Sequence, residues 1–94
     1  MAERRRRRVI VHGRVQGVYF RGATEAEARA AGVAGFVRNR ADGSVEAVFE
    51  GAPEAVDALV EFCRCGPRHA HVARLESFDE PLEGLQDFQV LRDA

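Results

Sequence analysis

Breaks marked by glycine and proline divide this chain of 94 residues into segments whose hydrophobic residues follow either a strand or a helix period. β-branched runs and alternating patterns that end at glycine are typical of β-strands. The Ala-Asp-Gly of residues 41–43 is a strong signal for a hairpin turn between two such runs. The pattern predicts five strands, at residues 6–12, 33–39, 44–51, 71–78 and 87–92.

Two segments between these strands repeat their hydrophobic residues at helical spacing. The first covers residues 21–31 and ends at Gly32, a residue well suited to a helix C-terminus. Its apolar stripe consists of Phe20, Thr24, Ala28 and Ala31. The second begins at Pro53, which suits the first turn of a helix, and stops at Gly66 and Pro67. Its stripe consists of Val56, Leu59, Val60 and Cys63.

The order of these elements predicts one domain over residues 1–94, with residues 1–5 as a disordered basic end. An order of β-α-β-β-α-β with a further terminal strand is the split βαβ, or ferredoxin-like, pattern. We therefore expect an α+β sandwich with two helices on one face of a four- to five-stranded antiparallel sheet. The order leaves function open, because this fold carries many unrelated activities.

Charge is distributed unevenly along the chain, although the formal net charge is only −1. Residues 1–40 carry ten arginines and three acidic residues, whereas residues 41–94 carry four arginines and twelve acidic residues. An anionic ligand is therefore expected on the first part of the chain. Lysine is absent from the sequence, which excludes a lysine nucleophile or Schiff base.

The hydrophobic segments are too short for a membrane protein. None approaches the roughly 20 apolar residues of a membrane-spanning helix, and the apolar run after the basic N-terminus is too short for a secretory signal. Cys63 and Cys65 are expected to be free thiols in a reducing compartment. The sequence predicts a cytoplasmic monomer that does not bind a membrane.

Residues 13–19, between the first strand and the first helix, have two possible interpretations. They can form a plain strand-to-helix turn with a surface arginine. They can also bind an anion, because the start of a helix leaves backbone N–H groups unpaired and its dipole attracts negative charge. Gly17 can take a positive φ that turns successive N–H groups inward, and Arg21 offers a planar fork for phosphate oxygens. This segment alone leaves both interpretations open.

Asn39 lies at the end of the second predicted strand, just before the hairpin turn. Asparagine favours turns, which is a sufficient structural reason for its presence. A carboxamide can also hold a water molecule without being charged, since its oxygen accepts a hydrogen bond and so aims the water's lone pair at an electrophile.

The stretches "GRVQGVYFR" and "GFVRNRADGSVEAVFEG" carry a more specific signal than either residue alone. The first fits the pattern Gly, x, Val, Gln or Lys, Gly, Val, x, Phe, Arg. The second fits Gly, aromatic, Val, basic, Asn, three residues, Gly, x, Val, five residues, Gly. Together they resemble the two signature segments of the acylphosphatase family. Every fixed position is filled, and the resemblance covers residues 7–92.

This resemblance implies metal-independent hydrolysis of an acyl phosphate to a carboxylate and inorganic phosphate, with no cofactor. It places the phosphate on main-chain N–H groups of the loop, those of Val15, Gln16, Gly17 and Val18. The family's essential arginine falls on Arg21, which also binds the phosphate, and its water-holding asparagine falls on Asn39. The implied partners are the small-molecule acyl phosphate and inorganic phosphate.

Some positions near the motifs are not fixed by the resemblance. Arg14 and Tyr19 occupy variable positions, so Arg14 is not expected to be essential and the role of Tyr19 is open. The family often sets a charged group from the C-terminal end near its arginine. Whether Asp93 or Ala94 does so here is also open.

The stretch "CRCGPRHAH" has a composition that suggests a metal site at Cys63, Cys65, His69 and His71. Zinc sites usually separate their cysteines by two to four residues, whereas one residue separates these two. Cys63 also belongs to the apolar stripe of the second helix. The sequence therefore predicts no metal site.

The arginine run at residues 4–8 suggests nucleic-acid binding, but no aromatic stacking platform accompanies it and the net charge is negative. We expect a solvated basic terminus and no nucleic-acid partner. A second alternative is a binding or carrier module, similar to the acylphosphatase-like domain at the front of larger hydrogenase-maturation proteins. Against it, no zinc-binding or transferase region follows within this sequence.

Overall fold

A computed structural model describes residues 3–93 of the chain. The elements follow in the order β1 (Arg5–Arg14), α1 (Phe20–Ala30), β2 (Ala34–Asn39), β3 (Val45–Gly51), α2 (Pro53–Cys65), β4 (His71–Glu80) and β5 (Phe88–Val90). All seven elements lie where the hydrophobic pattern predicted them, with ends that shift by a few residues. Neither helix of the described residues is long and apolar enough to cross a bilayer.

The five strands form one sheet in the order β4-β1-β3-β2-β5, so the predicted ferredoxin-like fold is confirmed. β1 pairs antiparallel with β3 and β4, and β2 pairs antiparallel with β3. The expectation of a wholly antiparallel sheet is wrong for β5, which pairs parallel with β2. The chain reverses after β4 and crosses to the far edge of the sheet, so β5 runs in the direction of β2.

β1 is longer than the predicted strand at both ends. It begins at Arg5, whose guanidinium binds Asp57 at 2.9 Å, so this residue belongs to the sheet and not to a disordered end. Met1 and Ala2 of the predicted end lie outside the described residues. At the other end an irregularity between His12 and Gly13 carries the strand on to Arg14. The loop before α1 is thereby shortened to residues 15–19.

Both helices pack on the same face of the sheet and enclose one hydrophobic core. The predicted stripe of α2 is buried at all four positions, and Phe20, Thr24 and Ala28 of α1 are buried as well. Ala31 of the predicted α1 stripe is exposed, because the helix ends one residue earlier. The rings of Phe49 and Phe88 stack with centroids 5.9 Å apart, which joins the edge strand β5 to the core.

The arginine run alternates between the two faces of the sheet, as the period of a strand requires. Arg5 binds Asp57 of α2, while Arg6 binds Glu50 at 3.2 Å and Arg8 binds Glu46 at 3.0 Å on the opposite face. Arg7 pairs with Asp79 of β4 at 3.1 Å. Each of these four arginines thus has a carboxylate partner within the protein, which weakens the case for a nucleic-acid surface.

A buried carboxylate on the face away from the helices organises the segment between β4 and β5. Glu50 is fully buried and accepts hydrogen bonds from the backbone N–H groups of Glu83, Gly84 and Leu85, at 3.1, 2.7 and 3.2 Å. The Arg6 guanidinium donates a further bond to it. These contacts fasten residues 81–87 over the sheet and so direct the chain into β5.

The ionised form of Glu50 is the one that these donors stabilise. Burial by itself would raise the pKa of Glu50, but the backbone N–H groups of Glu83 and Gly84, the Arg6 guanidinium and the N–H of Leu85 together lower it. A carboxyl whose pKa is lower in the folded state stabilises that state above its unfolded pKa. The stabilisation is lost as the pH falls from the ordinary value of 4.5 through the lowered folded value.

We therefore expect Glu50→Gln to destabilise the protein by about 2 kcal/mol at pH 7, because a neutral amide accepts hydrogen bonds more weakly than a carboxylate. The difference from the parent should shrink as the pH falls below 4.5. Urea unfolding at a series of pH values measures both effects. The control is Glu61→Gln, which changes an exposed carboxylate of α2 that pairs with Arg64 and should shift stability by less than about 0.5 kcal/mol. Equal stability of the two variants at pH 7 would contradict the role of Glu50.

Candidate active site

A cleft of about 360 Å³ opens where the loop of residues 15–19 and the start of α1 face the ends of β2 and β5. Its lining residues are Val15, Gly17, Tyr19, Phe20, Arg21, Gly22, Asn39 and Val90. Arg21 and Asn39, the two residues predicted to carry the chemistry, therefore line the same cavity. Val15 and Gly17 of the predicted anion loop line it as well.

The strand register explains why the loop and Asn39 meet. Val45 of β3 pairs with Val11 on one side and with Asn39 on the other, so the ends of β1 and β2 lie in one row across the sheet. Paired residues point to the same face, and Val11 and Val45 face the helices. Asn39 therefore points towards the helix layer, about 10 Å across the sheet from the strand that leads into the loop.

The loop presents backbone N–H groups that the rest of the protein does not use. Among the described residues, no backbone or side-chain acceptor receives an N–H from residues 15–19. Gly17 has a φ of 74°, a conformation that glycine adopts without steric penalty. Val15 is almost fully buried and fixes the start of the loop in the core. A fixed loop with free N–H groups before a helix start is suited to an oxyanion.

Gln16 ties this loop to the neighbouring hairpin. Its side-chain amide donates hydrogen bonds to the backbone carbonyls of Arg40 and Ser44, at 2.8 and 2.9 Å. These two carbonyls flank the turn that follows Asn39. The side chain thus couples the position of the loop to that of Asn39, a role that sequence reasoning missed because both partners are backbone atoms.

Arg21 lies in the first turn of α1 and its guanidinium is partly exposed. Nη1 donates to Oδ1 of Asp93 at 2.8 Å. The open question about the C-terminal end is thereby answered for Asp93, whereas Ala94 lies outside the described residues. An exposed ion pair of this kind contributes about 0–1 kcal/mol to stability, so its main consequence is the orientation of the guanidinium.

Asn39 is nearly buried, with 7% of its surface exposed, at the last position of β2. Within residues 3–93 its carboxamide forms no hydrogen bond with another side chain or with the backbone. An amide that faces a cleft and lacks a protein partner is placed to bind water or a ligand.

No histidine, cysteine, aspartate or glutamate is among the residues that line this cleft in the described part of the chain. His12 lies on the other face of the sheet, where its Nε2 is 2.7 Å from Oε1 of Glu76. That contact is the main reason why the pKa of Glu76 is lowered. The cleft therefore offers hydrogen-bond donors and a fixed cation, without a side chain suited to general-base catalysis.

The cysteine and histidine stretch does not form a metal centre in the described residues. Cys63 is buried in the core, and burial raises the pKa of its thiol to about 12, so the thiolate that a metal requires is strongly disfavoured. Cys65 is exposed beyond it at the end of α2. No group of three or more His, Cys, Asp or Glu side chains within residues 3–93 is arranged to hold a metal ion.

Comparison with known proteins assigns this arrangement to a family. The model of the family described as acylphosphatase matches residues 7–90. The chain belongs to the acylphosphatase family. The resemblance of its two motifs to this family is therefore confirmed over nearly the whole sequence.

Named acylphosphatases are similar to this family member in both sequence and structure. The acylphosphatase of Gloeobacter violaceus is 55% identical over 92 residues, which cover 98% of this chain and 99% of the relative. The crystal structure of the Bacillus subtilis acylphosphatase has a TM-score of 0.89 at 38% identity, covering 93% of this chain and 98% of that one. The structure of a Coxiella burnetii acylphosphatase has a TM-score of 0.90 at 32% identity, covering 94% and 93%.

Substitution of Gly17 tests whether the free N–H groups of the loop bind phosphate, and substitution of Gly32 serves as the control. Gly17 and Gly32 have φ values of 74° and 68°, and a Cβ at either would meet no atom within 4 Å. Alanine at either position should therefore destabilise the fold by about 1 kcal/mol through backbone strain alone. Only Gly17→Ala should also weaken the binding of inorganic phosphate, by roughly tenfold, because its strain falls in the loop whose N–H groups would hold the anion.

Isothermal titration with inorganic phosphate measures the affinity of both variants, and thermal unfolding measures their stability. Equal phosphate affinity in Gly17→Ala and Gly32→Ala would show that the loop is a plain turn.

Proposed function

We propose that this chain hydrolyses an acyl phosphate to a carboxylate and inorganic phosphate, with the phosphate held by the loop of residues 15–18 and Arg21. The observation that carries the proposal is the convergence of free N–H groups, a guanidinium and an unpartnered carboxamide on one cleft. Membership of the acylphosphatase family supports the class of reaction. The roles of individual residues follow from the chemistry of that cleft.

The phosphate group carries most of the charge of the substrate, and the loop and Arg21 are suited to it. N–H groups of Val15, Gln16, Gly17 and Val18 donate to the equatorial oxygens. The planar guanidinium of Arg21 adds charge-assisted hydrogen bonds. Phosphoryl transfer proceeds through a transition state in which charge is spread over these oxygens, so positioned donors lower its free energy.

Asn39 positions the attacking water. Its carboxamide oxygen accepts a hydrogen bond from the water and so directs a lone pair of the water oxygen at phosphorus. A P–O bond forms to water while the P–O bond to the acyl group breaks, and the bonding electron pair leaves on the carboxylate. The water proton passes to a phosphate oxygen, in keeping with a cleft that has no carboxylate or imidazole among its described lining residues to act as a general base.

The leaving group explains how so few residues suffice. A carboxylate is a weak base, so it departs without protonation by a general acid. The reaction then requires only orientation and charge stabilisation, which the loop, Arg21 and Asn39 supply. Asp93 contributes by accepting a hydrogen bond from Nη1 of Arg21, which orients the guanidinium. The mechanism uses no metal or cofactor, and a cytoplasmic monomer remains our prediction for the protein.

The proposal is tested by assay of the purified protein with benzoyl phosphate in the presence and absence of a chelator. Turnover that survives the chelator is expected. Binding of inorganic phosphate without any turnover would overturn the proposal and favour a carrier module that retained the phosphate loop.

Two substitutions should separate the roles of Asn39 and Arg21. Asn39→Ala should lower kcat by about 100-fold, because water loses its orientation, while the inhibition constant for phosphate changes little. Arg21→Lys should weaken phosphate inhibition as well as rate, since a point charge does not reproduce the bidentate fork. Steady-state kinetics with phosphate as competitor measures both quantities.

Arg14→Lys provides the matched control, because Arg14 is an exposed arginine at the other end of the same segment and does not line the cleft. Its rate and phosphate inhibition should stay within about twofold of the parent. Parallel losses of rate and phosphate affinity in Asn39→Ala would contradict a water-positioning role.

A further inference from the structure

The cleft has an apolar rim that the binding of phosphate does not use. Tyr19 and Val90 both line it, and 75% and 41% of their surfaces are exposed. The other exposed large hydrophobic residues of the described chain are Phe78 and Leu82, which lie away from the cleft. Phe78 is covered in part by the Arg8 guanidinium, 5.1 Å from its ring centroid. Exposed apolar surface beside a polar site commonly marks a ligand-binding groove.

The backbone of Tyr19 supports a function for its ring. Tyr19 is the one non-glycine residue with a positive φ within residues 3–93, at φ 65° and ψ 26°. This left-handed conformation costs an L-residue about 1–2 kcal/mol, and an exposed ring recovers little of it through burial. Glycine would satisfy the same turn without strain, so the turn alone does not account for a tyrosine here. Such outliers are concentrated at ligand-binding sites.

Gly22 holds the ring of Tyr19 at the mouth of the cleft. A Cβ at Gly22 would overlap Cε1 and Cζ of Tyr19, so the ring lies directly on the glycine backbone in the first turn of α1. Phe20 and Arg21 lie between them in the chain. The aromatic ring therefore lies at the same cleft as the guanidinium proposed to hold the phosphate.

We propose that Tyr19 and Val90 bind the acyl group of the substrate, and that the site favours acyl phosphates with an aromatic or branched apolar acyl group over those with a small one. This inference rests on the proposed function. An acyl phosphate has a dianionic phosphate end and an organic acyl end. The polar part of the cleft suits the phosphate, and its apolar rim suits the acyl group. With its phosphate on the loop, a substrate's acyl group has these two side chains as the exposed apolar contacts.

The test compares kcat/KM for benzoyl phosphate with kcat/KM for acetyl phosphate. The parent should favour benzoyl phosphate by about tenfold, the effect of one aromatic contact. Tyr19→Asn removes the ring while tolerating the left-handed backbone, and it should bring the ratio close to one. Tyr19→Phe should retain the ratio, and Val90→Ala should lower it by about threefold.

Two controls separate substrate selection from folding. Leu82→Ala changes an exposed hydrophobic residue away from the cleft and should leave the ratio and the rates unchanged. The melting temperature and phosphate inhibition of every variant are measured alongside. The inference is supported if Tyr19→Asn lowers kcat/KM for benzoyl phosphate alone, through a higher KM.

The inference is overturned if the parent hydrolyses both substrates with equal kcat/KM, or if Tyr19→Asn lowers both alike together with the melting temperature. Those results would leave the proposed function standing. Turnover of neither substrate by the parent would instead remove the proposed function, and this inference with it.

Discussion

The site depends first on the register of β3 between its two neighbours. Val45 pairs with Val11 of β1 and with Asn39 of β2, which aligns the start of the anion loop with the amide in one row facing the helices. A slip of one residue in either ladder would send Asn39 to the opposite face of the sheet. The buried valines on the helix side oppose such a slip, because it would move them out of the hydrophobic core.

The second constraint acts from the opposite face of the sheet. Glu50 holds the backbone of Glu83, Gly84 and Leu85, and these contacts guide the chain across to the far edge, where β5 pairs with β2. β5 then brings Val90 to the rim of the cleft, and Asp93 follows it to the guanidinium of Arg21. A carboxylate that does not touch the cleft therefore positions two of the side chains that complete it.

Much of the fold was predictable, because local signals agreed with the tertiary arrangement. The Asp-Gly turn, the proline at the start of α2 and the valine runs each specify their element through short-range preferences. The direction of β5 was not predictable from such signals, because the sequence of a three-residue edge strand does not indicate which strand it pairs with. The arginine run was also misjudged at Arg5, because its carboxylate partners lie far away in sequence.

The sequence by itself determined the family, the positions of the elements and the two residues proposed for the chemistry, Arg21 and Asn39. Long motifs with fixed spacing encode these features locally. Only the tertiary structure decided that Gln16 ties the loop to the hairpin, that Asp93 binds Arg21 and that Tyr19 stands over Gly22 in a left-handed conformation. Contacts between residues distant in sequence, and the φ of a single residue, arise from the packing of the whole chain and leave no periodic pattern in it.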